Sequence, residues 1–129
     1  MCLLDGVAGW DQTHIECWTR SHRDASNPLR SHGVLHSVHG VEYGAQAAAA
    51  HGGLLLHAAE RGSDRGYLAA VGDLAWTVDR LDTVADDLVV RGERLYGDAR
   101  SVIYRFTVAA AGHELVAGRV TVLLRVEAE

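Results

Sequence analysis

An α+β architecture in which a curled antiparallel sheet wraps around one long central helix is what this sequence predicts, on three observations. The stretch from Ser37 to Glu60 is apolar or small on nearly every side, apart from Glu42, Gln46 and a few histidines. A helix of that character is normally enclosed by other structure rather than laid on a surface. After it the hydrophobic period changes from 3.6 to 2, and four strand patterns follow one another. No second helical pattern is present to cover so long a sheet, so the sheet must curl around the one helix.

Taken in order, Leu3 to Ala8 is short and apolar, and Gly9-Trp10-Asp11 reads as a turn. A strand follows over His14 to Arg20, with Ile15, Cys17 and Thr19 sharing one face. Ser21 to Gly33 is polar and holds the single proline, Pro28. Proline removes a donor and disfavours helix before it, so this segment is a loop. The helix begins with Ser37 as its N-cap and ends near Arg61-Gly62-Ser63. At about 1.5 Å per residue it is roughly 35 Å long. Tyr67 to Leu81 reads as a strand with an irregularity at Gly72-Asp73, and Asp87 to Tyr96 as another, stopped by Gly97-Asp98. Val102, Tyr104, Phe106 and Val108 alternate with Ile103, Arg105 and Thr107, and Val116, Gly118, Val120, Val122 and Leu124 do the same opposite Arg119, Thr121 and Arg125.

Strand, strand, loop, buried helix and four strands is the arrangement called the hotdog fold, expected here as a single domain over 1–129. Such a sheet leaves an edge strand and part of the helix uncovered, so edge-to-edge pairing of two copies is expected. The net charge of −5, with twelve scattered arginines and no lysine, gives no basic stripe and argues against nucleic acid. Cys2 and Cys17 do not make a disulfide framework, and no apolar run is long enough to span a membrane, so a cytoplasmic location is expected. The apolar run begins at once, at Cys2-Leu3-Leu4, which is consistent with a few residues missing upstream.

Glu42 is the centre of the chemistry. On a helix it neighbours His39 at minus three and Gln46 at plus four, giving one polar row on an apolar rod. A carboxylate beside an imidazole can pass a proton each way near neutral pH, which suits elimination of water or proton abstraction next to a carbonyl. The competing reading pairs Glu42 with an arginine or a cap and leaves the histidines on a loop rim. His32, His36, His39 and Glu42 also invite a metal, but their order is His-x-x-Glu, no cysteine is near and His32 precedes the helix, so no metal is expected. No phosphate loop, nucleophile elbow or H-E-x-x-H occurs. Cys17, His51, His57 and His113 read as structural or solvated, and Trp10, Trp18 and Trp76 as core or dimer contacts.

The opening Met1-Cys2-Leu3-Leu4-Asp5, the Asn27-Pro28-Leu29 segment and Gly40-Val41-Glu42-Tyr43-Gly44-Ala45-Gln46-Ala47 resemble the 3-hydroxyacyl-[acyl carrier protein] dehydratases of fatty-acid synthesis. The whole chain is similar to the dehydratase-like hotdog proteins of aryl-polyene biosynthetic clusters, through Gly66-Tyr67-Leu68 and Asp98-Ala99-Arg100 to about Arg125. That resemblance implies a dimer in which a loop histidine of one subunit and the helix carboxylate of the other remove water from a carrier-bound 3-hydroxyacyl thioester, giving the trans-2-enoyl product. Glu42 falls on the family carboxylate and Gln46 on its glutamine, and backbone N–H at Ser37 and Val38 would polarise the thioester carbonyl. The family's His-Phe-Pro-Gly loop is replaced by Arg30-Ser31-His32-Gly33-Val34-Leu35. Counting forward from Pro28, His32 takes the histidine's place; His36 or His39 are the substitutes.

The expectation is therefore a cofactor-free dehydratase with Glu42 as acid/base, His32 or His39 as its partner and Gln46 orienting. It would act on acyl carrier protein-bound substrate as a homodimer or as a heterodimer with another hotdog dehydratase. The alternatives are a non-catalytic partner subunit of an active dehydratase and a thioesterase on the same fold.

Overall fold

The computed structural model describes residues 2–58 and 64–126, with side chains over 2–55 and 68–123. Six strands form one antiparallel sheet in the order β1-β2-β4-β5-β6-β3, and the sheet does not close. They are β1 (Gly6–Trp10), β2 (His14–Thr19), β3 (Asp64–Trp76), β4 (Leu88–Gly97), β5 (Ser101–Ala110) and β6 (His113–Val126). A single helix, α1 (Gly40–Ala58), lies across one face, preceded by a 3₁₀ turn at Ser37–His39. This is the hotdog architecture expected from the hydrophobic pattern.

The inward faces of the strands carry the core. Ile15 and Cys17 on β2, Leu88 and Val90 on β4, Tyr104, Phe106 and Val108 on β5, and Val116 and Val120 on β6 are all but fully buried. The helix approaches them through its glycines. A Cβ on Gly44 would lie 2.4 Å from Cγ of Phe106, and one on Gly40 would lie 3.0 Å from both methyl carbons of Val116. Only glycine lets the helix backbone come so near the ring. His51, also fully buried, ties α1 to the sheet: its Nε2–H donates to Asp11 O at 2.7 Å, and Nδ1 meets the Tyr104 hydroxyl at 2.5 Å.

Three features differ from the sequence reading. Gly9 and Trp10 belong to β1, which pairs with β2 across a bulge between Val7 and Gly9. The turn comes after them, where Asp11 Oδ1 accepts from Thr13 N at 2.9 Å and His14 N at 2.7 Å. Strand β3 stops at Trp76 rather than Leu81, because the chain beyond it leaves the sheet to bind the approach to the helix. Ser37 is not a side-chain cap: its hydroxyl donates to Val78 O at 2.5 Å and its N–H to Asp79 O at 3.0 Å. The expected helix end at 61–63 lies outside the described residues.

The helix is covered on one side only. Ala49 and Gly53 face away from the sheet and are exposed, since an open sheet cannot enclose a rod completely. None of Trp10, Trp18 and Trp76 enters the core: Trp10 and Trp76 lie on the edge strands β1 and β3, and Trp18 alternates with the buried Cys17 and Thr19 on β2 and so turns to the opposite face. No helix among the described residues is long and apolar enough to cross a membrane.

Candidate active site

The start of α1 is fixed from two directions. On one side, the extended segment Leu35–Ser37 is laced to the connection after β3: Leu81 N donates to Leu35 O at 2.8 Å, and Leu35 N donates to Asp82 Oδ1 at 3.0 Å. Asp82 is itself held by the Arg80 guanidinium, Nε to Oδ1 at 3.0 Å, and the Arg80 hydrogen bond keeps its carboxyl far below the usual carboxylate range. On the other side, the buried Tyr43 hydroxyl meets Ser21 Oγ at 2.9 Å and accepts from Asn27 Nδ2 at 3.1 Å. Asn27 Nδ2 also donates to Ser21 O at 2.8 Å. Desolvation raises the Tyr43 pKa, so the phenol stays protonated and available as a donor.

Glu42 stands between these anchors, in the first turn of the helix, where the partial positive charge of the helix start favours a carboxylate. It is half-buried, and among the described residues its carboxylate makes no hydrogen bond and no ion pair. The expected alternative, an arginine or a cap on Glu42, is thus absent among the described residues. Gln46, one turn on, is used: its Oε1 accepts from Leu3 N at 2.7 Å, pinning the N-terminal segment to the helix. A cavity of about 370 Å³ opens beside it, between Cys2–Val7 and Gln46, Ala49 and Ala50.

The histidines are spread out. His32 is exposed at the tip of a two-residue turn, with φ of 52° followed by 79° at Gly33, closed by reciprocal backbone bonds between Ser31 and Val34. His36 is exposed on the extended segment, bridged to Arg80, and His39 is half-buried at the end of the 3₁₀ turn. None of the three hydrogen-bonds Glu42 within the chain. Among the described residues no three His, Cys, Asp or Glu side chains gather as metal ligands. Of the two backbone donors expected near the thioester, Ser37 N–H is taken by Asp79 O, whereas Val38 N–H has no partner among the described residues and its side chain is 45% exposed.

Tyr43, Asn27, Ser21 and Asp82 were not assigned roles from the sequence. The first two lie inside motifs that carried the family resemblance, which was the available signal. Cys17 is buried, with burial pushing its thiol up to about 11, which leaves it inert at neutral pH.

A family model described as ApeP-like, ApeP dehydratase, matches residues 1–128. No curated protein matches the chain. Among solved structures, the dehydratase heterocomplex ApeI:P from Xenorhabdus doucetiae superposes with a TM-score of 0.88 at 21% identity, covering 98% of this chain and 84% of that one. A thioesterase from Haemophilus influenzae matches with a TM-score of 0.66 at 12% identity over 92% of this chain and 76% of its own. AziG from S. sahachiroi matches with a TM-score of 0.67 at 20% identity over 93% and 90%. At these identities the structural likeness speaks for the fold.

Proposed function

The chain belongs to the ApeP-like dehydratase family, and from that membership we propose that it contributes Glu42 to a site that removes water from 3-hydroxyacyl thioesters carried on acyl carrier protein. The observation that carries this reading is the carboxylate of Glu42, half-buried in the first turn of α1 and without a partner among the described residues. A half-buried carboxylate so placed is available to a substrate and to a group from a second subunit.

The chemistry needs one base and one acid. The base takes a proton from C2, the electron pair forms the C2–C3 double bond, and the C3 hydroxyl leaves as water with a proton from the acid. Glu42 fills one of these roles. An imidazole fills the other, and among the described residues no histidine bonds Glu42, so the second subunit is its source; His32 and His39 are the candidates each copy would offer. Val38 N–H, at the helix start, is suited to the thioester oxygen. Gln46 orients the site indirectly, by fixing the N-terminal segment alongside Glu42.

A second reading is a non-catalytic subunit that supports an active hotdog partner, favoured by the exposed, rebuilt turn on which His32 sits. Incubation of the purified chain with a 3-hydroxyacyl-carrier protein separates the readings. Formation of the enoyl product by the chain alone supports dehydration, free acid supports a thioesterase, and turnover only with a partner supports the second reading. A Glu42→Gln variant that dehydrates as fast as the parent removes Glu42 from the mechanism.

A further inference from the structure

The first turn of α1 is weak by composition. Gly40 and Gly44, which let the helix close on Val116 and Phe106, stand on either side of Glu42 and leave its backbone freer than alanines would. The 3₁₀ turn that leads into it has no side-chain cap. A carboxylate on such a turn keeps one direction only where neighbouring side chains lock the helix that carries it.

Tyr43, the next residue, is fully buried, and its hydroxyl sits in a chain of hydrogen bonds whose direction follows from the donors and acceptors alone. Asn27 Oδ1 accepts from Leu29 N at 2.9 Å, which makes Nδ2 the end that donates to the Tyr43 oxygen. The phenol hydrogen then goes to Ser21 Oγ, at 2.9 Å, and the Ser21 hydrogen goes to Leu3 O, at 2.7 Å. Thr19 Oγ1 reaches the same carbonyl at 2.6 Å. Leu3 N in turn donates to Gln46 Oε1. The chain therefore leaves α1 at Tyr43 and returns to it at Gln46, one turn on, by way of Ser21 and the N-terminal segment. Hydrogen bonds that all run one way polarise and strengthen one another.

Tyr43 and Gln46 are three residues apart and so neighbours on the helix surface, and Glu42 stands four residues before Gln46 beside them. Fastening both ends of that turn stops the start of α1 from unwinding or rotating about its own axis. Packing alone does not call for the arrangement, since a phenylalanine fills the same space and a buried hydroxyl is costly unless partnered. We propose that Tyr43, through the hydroxyl it shares with Asn27 and Ser21, is a positioning residue for the Glu42 carboxylate, fixing the first turn of α1 so that Glu42 keeps one direction. This rests on the reading of Glu42 as the acid or base of the site. Tyr104 offers the comparison: it is equally buried, and its hydroxyl meets His51 more than two turns further along the same helix.

Two readouts test it: turnover of a 3-hydroxyacyl-carrier protein, with a partner subunit where the parent needs one, and the ¹³C resonance of the Glu42 side-chain carboxyl carbon, identified by its loss in Glu42→Gln. Tyr43→Phe keeps the ring and is expected to lower kcat by roughly 10- to 100-fold with KM close to the parent's, as a small misplacement of a reacting group does. It should also displace the Glu42 resonance at constant pH. Ser21→Ala, at a half-buried position, breaks the same chain and should act alike, which keeps the test intact if Tyr43→Phe does not fold. Ser21→Thr retains a hydroxyl and should restore both readouts, and Ser21→Ala combined with Tyr43→Phe should cost no more than either alone. Tyr104→Phe should lower the unfolding midpoint and leave kcat and the resonance unchanged. A Tyr43→Phe variant that matches the parent in both readouts, or a Tyr104→Phe variant that loses as much turnover, overturns the proposal. Dehydration by Glu42→Gln at the parent's rate overturns the reading of Glu42 instead, and the resonance still decides whether Tyr43 fixes its carboxylate.

Discussion

The two sides of α1 are made of the same kinds of residue and behave oppositely. Facing the sheet, Gly40 and Gly44 are glycines because a side chain would collide with Val116 and Phe106. Facing away, Gly52 and Gly53 have nothing within 4 Å of where a Cβ would stand. The polar residues divide in the same way. His51, on the sheet side, has both ring nitrogens engaged, whereas Glu42, away from the sheet, has a carboxylate without a partner among the described residues. One side is finished by the chain itself, and the other is left open to a substrate or another subunit. Substitutions on the two sides should therefore change different measured quantities.

The sharpest test of that contrast is Glu42→Gln. It keeps the shape and removes the proton-transfer group, so on the proposed reaction it should lower the dehydration rate by about 10²–10⁴-fold. Its unfolding free energy should stay within about 0.5 kcal/mol of the parent, because no contact is lost. A parallel fall in chemical-denaturation midpoint would mean that Glu42 belongs to the finished side. Gly44→Ala is the converse. Its new methyl meets the Phe106 ring at 2.4–2.8 Å, so either the ring or the helix must move. Overpacking of this kind costs about 1–3 kcal/mol, read from urea unfolding.

Asp82 extends the comparison to pH. Its pKa in the folded chain is lowered, chiefly by the Arg80 hydrogen bond. A carboxyl depressed on folding contributes stability that is present above its unfolded value, near pH 3.9, and is lost as pH falls through the folded value. Asp82→Asn should therefore be less stable than the parent at neutral pH, and the difference should shrink in acid, below about pH 4. Unfolding curves at neutral and acid pH measure it. A constant difference across that range would mean that Asp82 acts through shape alone.

How much of this was legible in the sequence follows from what kind of contact each feature makes. Strands β5 and β6 were readable residue by residue because burial on one face writes a period of two into the chain. The hotdog arrangement followed because one apolar helix and a long sheet have few ways to bury each other. Glu42 was legible as a lone acid in an apolar rod. The anchors around it were not: Ser37 bonds Val78, Tyr43 bonds Ser21 and Asn27, and Leu35 bonds Asp82, 47 residues away. Polar pairs that distant leave no local pattern. The same limit hid which glycines of α1 touch the sheet. The reach of β3 was overestimated because Val78, Leu81 and Val84 continue an apolar pattern while serving to bind the helix approach and the core.

The smallest predicted effect isolates the open side of α1 most cleanly. Gly53 is helical and exposed, so replacing it with Ala adds a methyl that touches nothing within the chain. Glycine costs a helix interior roughly 0.5–1 kcal/mol relative to alanine, because it gives up more backbone freedom on folding. Gly53→Ala should accordingly raise the unfolding free energy by about 0.4–1 kcal/mol, the reverse in sign of Gly44→Ala, which lies about 13.5 Å of helix rise away on the same rod. Read by urea unfolding at low protein concentration, that gain belongs to the isolated chain. If the gain vanishes as concentration rises, the added methyl is meeting another subunit, and the side of α1 that carries Glu42 is where the second chain sits.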